Sequence, residues 1–151
     1  MIKKYLFCFD LINNRNFYKN GSDKFMKFYS RKMVAAKDLN SNGSLFGGRL
    51  LAWIDEEAFI FTTCQLKDPS VVTRYISNIE FLSTARIGDI VEIGMEVVEM
   101  GRTSITLACV VRKKGTEKII TQIDKIVFVL VDHDGQPKPH YQKVEFIDEA
   151  I

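Results

Sequence analysis

Histidine is nearly absent from this chain: two of 151 residues, His133 and His140, both in a C-terminal turn and tail. No histidine therefore stands near a credible Ser or Cys nucleophile, and there is no H-E-x-x-H, no G-x-S-x-G and no P-loop. A Ser-His-Asp or Cys-His enzyme is disfavoured on that ground. Any hydrolysis would have to run on carboxylates, amides and backbone donors. Cysteine is equally scarce. Cys8, Cys64 and Cys109 are far apart with no C-x-x-C, which gives no disulfide framework and no zinc knuckle and fits a reducing compartment. Cys64 and Cys109 read as small buried hydrophobes, not as nucleophiles. No apolar run reaches the roughly 18–20 residues of a membrane span. Residues 1–9 begin like a signal peptide, but Asp10 cuts the apolar region short, so the expectation is a cytoplasmic protein rather than a secreted one.

What is present suits one globular unit. The length is that of a single domain with a real core, and 46% apolar with 26% charged residues is ordinary for such a domain. The net charge of +2 hides an asymmetry. Residues 1–37 hold nine Lys/Arg against two Asp, leaving twelve against seventeen acids for the rest. The expected organisation is a basic extension over 1–26, poorly structured or a short helix, then a domain over 27–140 and a tail over 141–151.

The chain is organised around Asn40-Ser-Asn42-Gly43-Ser-Leu-Phe46-Gly47-Gly48, a polar loop that runs into the apolar stretch Arg49–Phe61. The spacing predicts one long helix from about Gly48 to Leu66, stopped by Pro69. Glycine at the helix start lets backbone approach a ligand closely, and the first-turn N–H groups lack intrahelical partners. Asp55, Glu56 and Glu57 are the polar break in this helix, which is apolar nearly all round and so reads as buried. At least one of the three acids is then expected to be desolvated. Periodicity does not say which of them matters, and all three facing solvent at an edge is the plainer alternative.

Around the helix the period is that of strands. A first strand is expected within Lys27–Lys37. Val71–Leu82 reads as one strand with Tyr75, Ile79 and Phe81 on a common face. Val91–Val97, Ile105–Val111 and Ile119–Val131 alternate as further strands, with a glycine turn in Lys113–Glu117. The expected fold class is α+β, with four antiparallel strands in meander order after the helix and the sheet wrapped around it.

On these residues the chain resembles the hotdog-fold acyl-CoA thioesterases, in the branch of short, single-hotdog acyl-CoA hydrolases, over roughly residues 30–140. Asp38-Leu-Asn40-Ser-Asn42-Gly43-Ser-Leu-Phe46-Gly47-Gly48 is similar to that family's D-x-N-x-x-G-x-x-[FH]-G-G opening. Leu51-Ala-Trp53-Ile-Asp55-Glu56 resembles its W-x-D-E helix. Val72-Thr73, Ile79-Glu-Phe81-Leu82, Gly88-Asp89, Gly101-Arg102-Thr103-Ser104 and Phe128–Gly135 resemble later signposts in the same order. The resemblance implies a hotdog fold and an acyl-CoA thioesterase that yields free CoA and a carboxylic acid. It implies Asp55 as catalytic carboxylate (general base or nucleophile), Asn40 as orienting amide and Thr73 as assisting hydroxyl. Gly47 and Gly48 would offer backbone donors for the carbonyl oxygen, with Phe46 beside them. Arg102, Thr103 and Ser104 would lie along the CoA path. No metal and no other cofactor is implied. Two features depart from the pattern: Ser83-Thr84-Ala85 stands where proline is common, and the basic N-terminal extension has no counterpart.

Geometry adds an oligomer. At about 1.5 Å per residue, Asp55 lies roughly 10 Å along the helix from Gly48. One carbonyl cannot easily touch both in the same chain, so a composite site between two subunits is expected. This agrees with the family's homodimers, some assembled further into hexamers. Three other readings compete. A non-catalytic acyl- or CoA-binding hotdog protein would need neither Asn40 nor Asp55. A hotdog dehydratase usually wants a pocket histidine, and nucleic-acid binding by the basic leader lacks an ordered groove element; no membrane partner is expected.

Overall fold

The computed structural model describes residues 26–116 and 118–143, so the basic extension up to residue 25 and the tail beyond 143 lie outside the described residues. The elements are β1 (Lys27–Met33), a 3₁₀ turn (Ala36–Asp38), α1 (Gly47–Leu66), β2 (Val71–Ile76), β3 (Glu80–Phe81), β4 (Ile90–Met100), β5 (Ser104–Lys113) and β6 (Lys118–Leu130). One antiparallel sheet carries every strand in the order β1-β4-β5-β6-β2, with β3 also paired to β6. The sheet holds α1 against one face, which is the hotdog arrangement.

The core follows from side-chain alternation. Val91, Ile93 and Met95 of β4 and Ile105, Leu107, Cys109 and Val111 of β5 point inward at i, i+2 spacing and are buried. On β6 the inward residues are Ile120, Ile123, Ile126, Phe128 and Leu130, so the spacing stretches from two to three. The register against β5 shifts at Leu107/Cys109 and Val111/Arg112, and each extra residue reverses the phase of the alternation. From α1 a stripe at four-residue intervals, Leu50, Ile54, Ala58, Thr62 and Leu66, closes this core. The helix stops at Lys67, held in the left-handed conformation (φ 55°) ahead of Pro69.

Four sequence expectations need correcting. The strands after α1 do not form a meander: β4, β5 and β6 do, but β2 crosses to the far edge beside β6. The expected strand over 71–82 is two strands, β2 and β3, separated at residues 77–79, both hydrogen-bonded to β6. Tyr75, Ile79 and Phe81 do not form one common face: Ile79 packs against the core, whereas Tyr75 and Phe81 are exposed. A bulge between Thr73 and Tyr75 sets Tyr75 opposite Val127 and Ile76 opposite Ile126 of the core. Finally, α1 is not buried all round, because Ala52, Phe59, Ile60 and Cys64 are exposed in the single chain. Among the described residues no helix is long and apolar enough to cross a membrane.

One charged cluster ties the outer face together. The Glu92 carboxylate, 1% exposed, meets Arg31 (2.9 Å) and Lys114 (3.2 Å) on one oxygen and Arg112 (2.9 Å) on the other. The Arg112 guanidinium also lies 3.7 Å over the Phe28 ring, joining β1 to β5. Burial pushes the Glu92 carboxyl up, but hydrogen bonds from Arg31, Lys114 and Arg112 outweigh it and hold it below the usual glutamate range. The unfolded chain therefore takes up this proton first. The cluster's contribution is complete above the ordinary glutamate value of about 4.3 and is lost as pH falls through the lower folded value. Glu92→Gln should destabilise by about 1–3 kcal/mol near neutrality, since it leaves cations facing a buried neutral group. It should also flatten the acid limb of the stability curve, as read by denaturant melts between pH 7 and 3.

Candidate active site

Two features of the loop Leu39–Phe46 hold the entry to α1. Asp38 is buried, accepts Ala35 N–H at 2.9 Å on Oδ2, and pairs through Oδ1 with Arg49 Nε at 3.1 Å. Its carbonyl accepts Phe46 N–H at 2.9 Å. Asn40 Oδ1 accepts Asn42 N–H (2.9 Å), Ser44 N–H (3.2 Å) and the Ser44 hydroxyl (3.3 Å). That oxygen is fully committed to the turn, an Asx arrangement. The Asn40 Nδ2 group, by contrast, donates to nothing among the described residues, so it is the end of the amide left to meet a ligand. The structural and functional readings of Asn40 thus hold together: one end builds the loop and the other is free. Asp38 is the supporting residue that sequence reasoning left out of the site, although it opens the D-x-N motif.

At the helix start the first intrahelical bonds are Arg49 and Leu50 N–H to the Phe46 carbonyl. The Gly47 and Gly48 N–H groups find no acceptor among the described residues, as the first turn of a helix requires. Both glycines lie close beneath aromatic rings. A Cβ on Gly47 would lie 3.2 Å from the Phe81 ring, and one on Gly48 would lie 2.7 Å from the Phe46 ring. Phe46 and Phe81 are themselves exposed. The free donors are therefore flanked by two accessible aromatic side chains.

Asp55 sits two turns further along α1 and is half-buried. The Thr73 hydroxyl donates to its Oδ1 at 2.8 Å, across the gap between α1 and edge strand β2. The bulge that follows Thr73 lets this hydroxyl face the helix while Tyr75 turns away. Glu56 is exposed and pairs with Lys32 at 3.3 Å. Glu57 is half-buried on the opposite flank of the helix, and its charge adds to the burial that pushes the Cys109 thiol up. None of the three acids is buried in the single chain, contrary to the expectation of a desolvated one. Cys64 is exposed, also contrary to expectation, while Cys109 is buried as expected.

The predicted residues therefore fall into three groups. Asp55 and Thr73 are in contact. Asn40, Phe46, Gly47 and Gly48 gather at the helix start, roughly 10 Å away along the axis. Arg102, Thr103 and Ser104 form the β4–β5 turn, and Ile105 lies two strands from Thr73 by way of Phe128, roughly 10 Å across the sheet. Within the described chain the three groups are thus separated by steps of roughly 10 Å.

A thioesterase superfamily model matches residues 42–120, a span that starts within the loop after Asn40 and takes in the helix and strands β2 to β5. The chain belongs to the thioesterase superfamily. The acyl-CoA thioester hydrolase YciA of Salmonella typhimurium is 32% identical over 115 residues, 72% of this chain and 86% of its own. Among solved structures, a hexameric thioesterase from Yersinia pestis superposes with a TM-score of 0.69 at 26% identity, over 76% of this chain and 94% of that one. An acyl-CoA hydrolase from Staphylococcus aureus, solved with butyryl-CoA and CoA, gives 0.64 at 28% identity over 73% of this chain and 66% of that one. It has also been solved as aspartate-to-alanine, asparagine-to-alanine and threonine-to-alanine variants.

Proposed function

We propose that this thioesterase hydrolyses acyl-CoA to free CoA and a carboxylic acid, with Asp55 as the working carboxylate. The observation that carries the reading is the Thr73–Asp55 hydrogen bond at 2.8 Å. It fixes one carboxylate oxygen and leaves the other for the proton of an attacking water. The Staphylococcus relative has been solved with an aspartate, an asparagine and a threonine each replaced by alanine, the same three residue types as Asp55, Asn40 and Thr73. Water adds to the thioester carbon as Asp55 takes its proton. The oxyanion that forms is met by Gly47 and Gly48 N–H groups and the free Asn40 Nδ2, donors already in place before reaction. Collapse breaks the C–S bond, and the proton passes from Asp55 to the CoA thiolate. Attack by Asp55 itself is the alternative, and the anhydride it forms would be trapped by hydroxylamine. Neither route calls for a metal or a further cofactor.

The site is composite in this reading, with Asp55–Thr73 of one subunit facing the helix start of another. Support comes from β2, which is a sheet edge with a row of unpaired backbone groups and with Val72 and Tyr75 exposed, and from Phe59 of α1, which is exposed as well. Such an edge demands a cover, and a second copy pairing there would supply it. The hexameric Yersinia relative is consistent with further assembly. Phe46 and Phe81 would border the acyl entrance, and Arg102–Ser104 the coenzyme path. Three widely spaced cysteines without a C-x-x-C fit a reducing compartment, which supports a cytoplasmic enzyme in this reading.

Free-thiol release from a panel of acyl-CoAs, short to long, tests the reading and gives chain length. Turnover of at least one member is expected. CoA binding without turnover of any would replace the enzyme with a non-catalytic binding module. A monomer by light scattering with full activity would end the composite site.

A further inference from the structure

Among the buried titratable side chains that the mechanism does not use is His140. After β6 the chain turns at Asp132–Gly135 and comes back as a strap. Val131 bridges to Pro137, Lys138 N–H donates to the Leu130 carbonyl at 2.9 Å, and the Lys138 ammonium pairs with Asp68 at 3.0 Å. The strap then reaches the β4–β5 turn at His140, which is 7% exposed. His140 N–H donates to the Arg102 carbonyl at 3.2 Å. In the ring, Nδ1 accepts Gln142 N–H at 3.1 Å, and Nε2 lies 3.3 Å from the Ser104 carbonyl. An accepting Nδ1 and a carbonyl facing Nε2 define one neutral tautomer, with the proton on Nε2 donated to Ser104.

Those contacts complete a small unit. The Thr103 carbonyl accepts Leu130 N–H at 2.8 Å, and the Ser104 carbonyl also accepts Gly101 N–H at 2.9 Å. All three carbonyls of Arg102–Ser104 are thus bonded, and two of the four donors belong to His140. The turn cannot shift without breaking both. Of its side chains Arg102 is exposed and Thr103 half-buried, while Ser104 is half-buried with its hydroxyl against Gly101.

We propose that His140 is a positioning residue for the coenzyme: it locks the Arg102–Thr103–Ser104 turn in the shape that meets the phosphates of the CoA nucleotide. Arg102 supplies the guanidinium for a phosphate, and the two hydroxyls supply further donors. His140 touches neither substrate nor reacting atoms. The inference rests on the reading that this turn borders the coenzyme path.

The test compares one acyl group on CoA and on N-acetylcysteamine, a thioester without the nucleotide. His140→Ala keeps the backbone bond to Arg102 but loses the ring's bond to Ser104, and should raise KM for the acyl-CoA about 10-fold, the scale of one lost hydrogen bond, with kcat within about 2-fold. Its kinetics on the N-acetylcysteamine ester should stay unchanged. His140→Gln, which keeps a donor toward Ser104, should recover most of the affinity. His140→Asn, which keeps only the acceptor toward Gln142, should not. Unchanged KM in the Ala and Asn variants overturns the proposal, as does an equal loss on both substrates, which would mark a structural role only. Should the wild type cleave neither ester, the thioesterase reading fails by itself. CoA binding by calorimetry to wild type and variants then decides the role of His140 separately, a weakening of about 10-fold supporting it and equal affinity overturning it.

Discussion

Asp55→Asn is expected to lower kcat by about 10²–10⁴-fold, the range that a positioned acid/base group supplies, while CoA still binds. The amide is nearly isosteric and keeps an oxygen to accept the Thr73 hydroxyl, so the α1–β2 contact at 2.8 Å survives. What it loses is the capacity to take a proton. Asp55→Ala should fall as far, with little change in stability, because the side chain is only half-buried and alanine favours the helix. Thr73→Val is a smaller perturbation, roughly 10-fold, since it removes one hydrogen bond to a charged group. The neighbouring acids are the controls. Glu56 is paired with Lys32 on the exposed side, and Glu57 sits on the opposite flank beside the sheet centre. Their Gln variants should stay within a few-fold of wild type. An Asp55→Asn enzyme retaining a tenth of its kcat, or a Glu57→Gln enzyme that loses as much as Asp55→Asn, would reassign the carboxylate.

The features legible in the sequence were those set by near neighbours. The loop into α1 was readable because Asn40, Gly43 and the Gly47–Gly48 pair act within a few residues of each other, and Pro69 marks the stop directly. The β4–β5–β6 hairpins were readable for the same reason. The position of β2 was not, because its pairing with β6 spans some fifty residues and leaves no local mark. Neither was the bulge after Thr73: the stretch Val71–Ile76 alternates plausibly in either phase, and only the β6 register chooses. The mistaken all-round burial of α1 has a different cause. Phe59 and Ile60 are apolar yet exposed in the single chain, so their composition alone does not report burial within it. The same holds for the acids. In the proposed composite site a second subunit would complete the environment of Asp55, which is half-buried in the single chain.

That difference leads to the strongest test of the composite site. Asp55→Ala removes the carboxylate and leaves the helix-start donors intact; Asn40→Ala disables the donor end, because Asn40 both offers Nδ2 and ties the loop through Asn42 and Ser44. Each variant alone should be lower than wild type by about 10²-fold or more. Co-expressed in equal amounts and purified together through two different tags, the chains form mixed dimers. A mixed dimer has one site with Asp55 from the second chain and Asn40 from the first, both intact, and one site lacking both. Random pairing makes half of all dimers mixed, so total activity should return to about a quarter of wild type in an isologous dimer. The dual-tagged fraction should show about half. That is a gain of more than 10-fold from two nearly inactive proteins with no new contact made. If each site is built within one subunit, a mixed dimer holds one chain lacking Asp55 and one lacking Asn40, neither site is whole, and activity stays at the level of the single variants. Mixing the purified homodimers without exchange should give no recovery in either case, so recovery that tracks subunit exchange is the decisive reading.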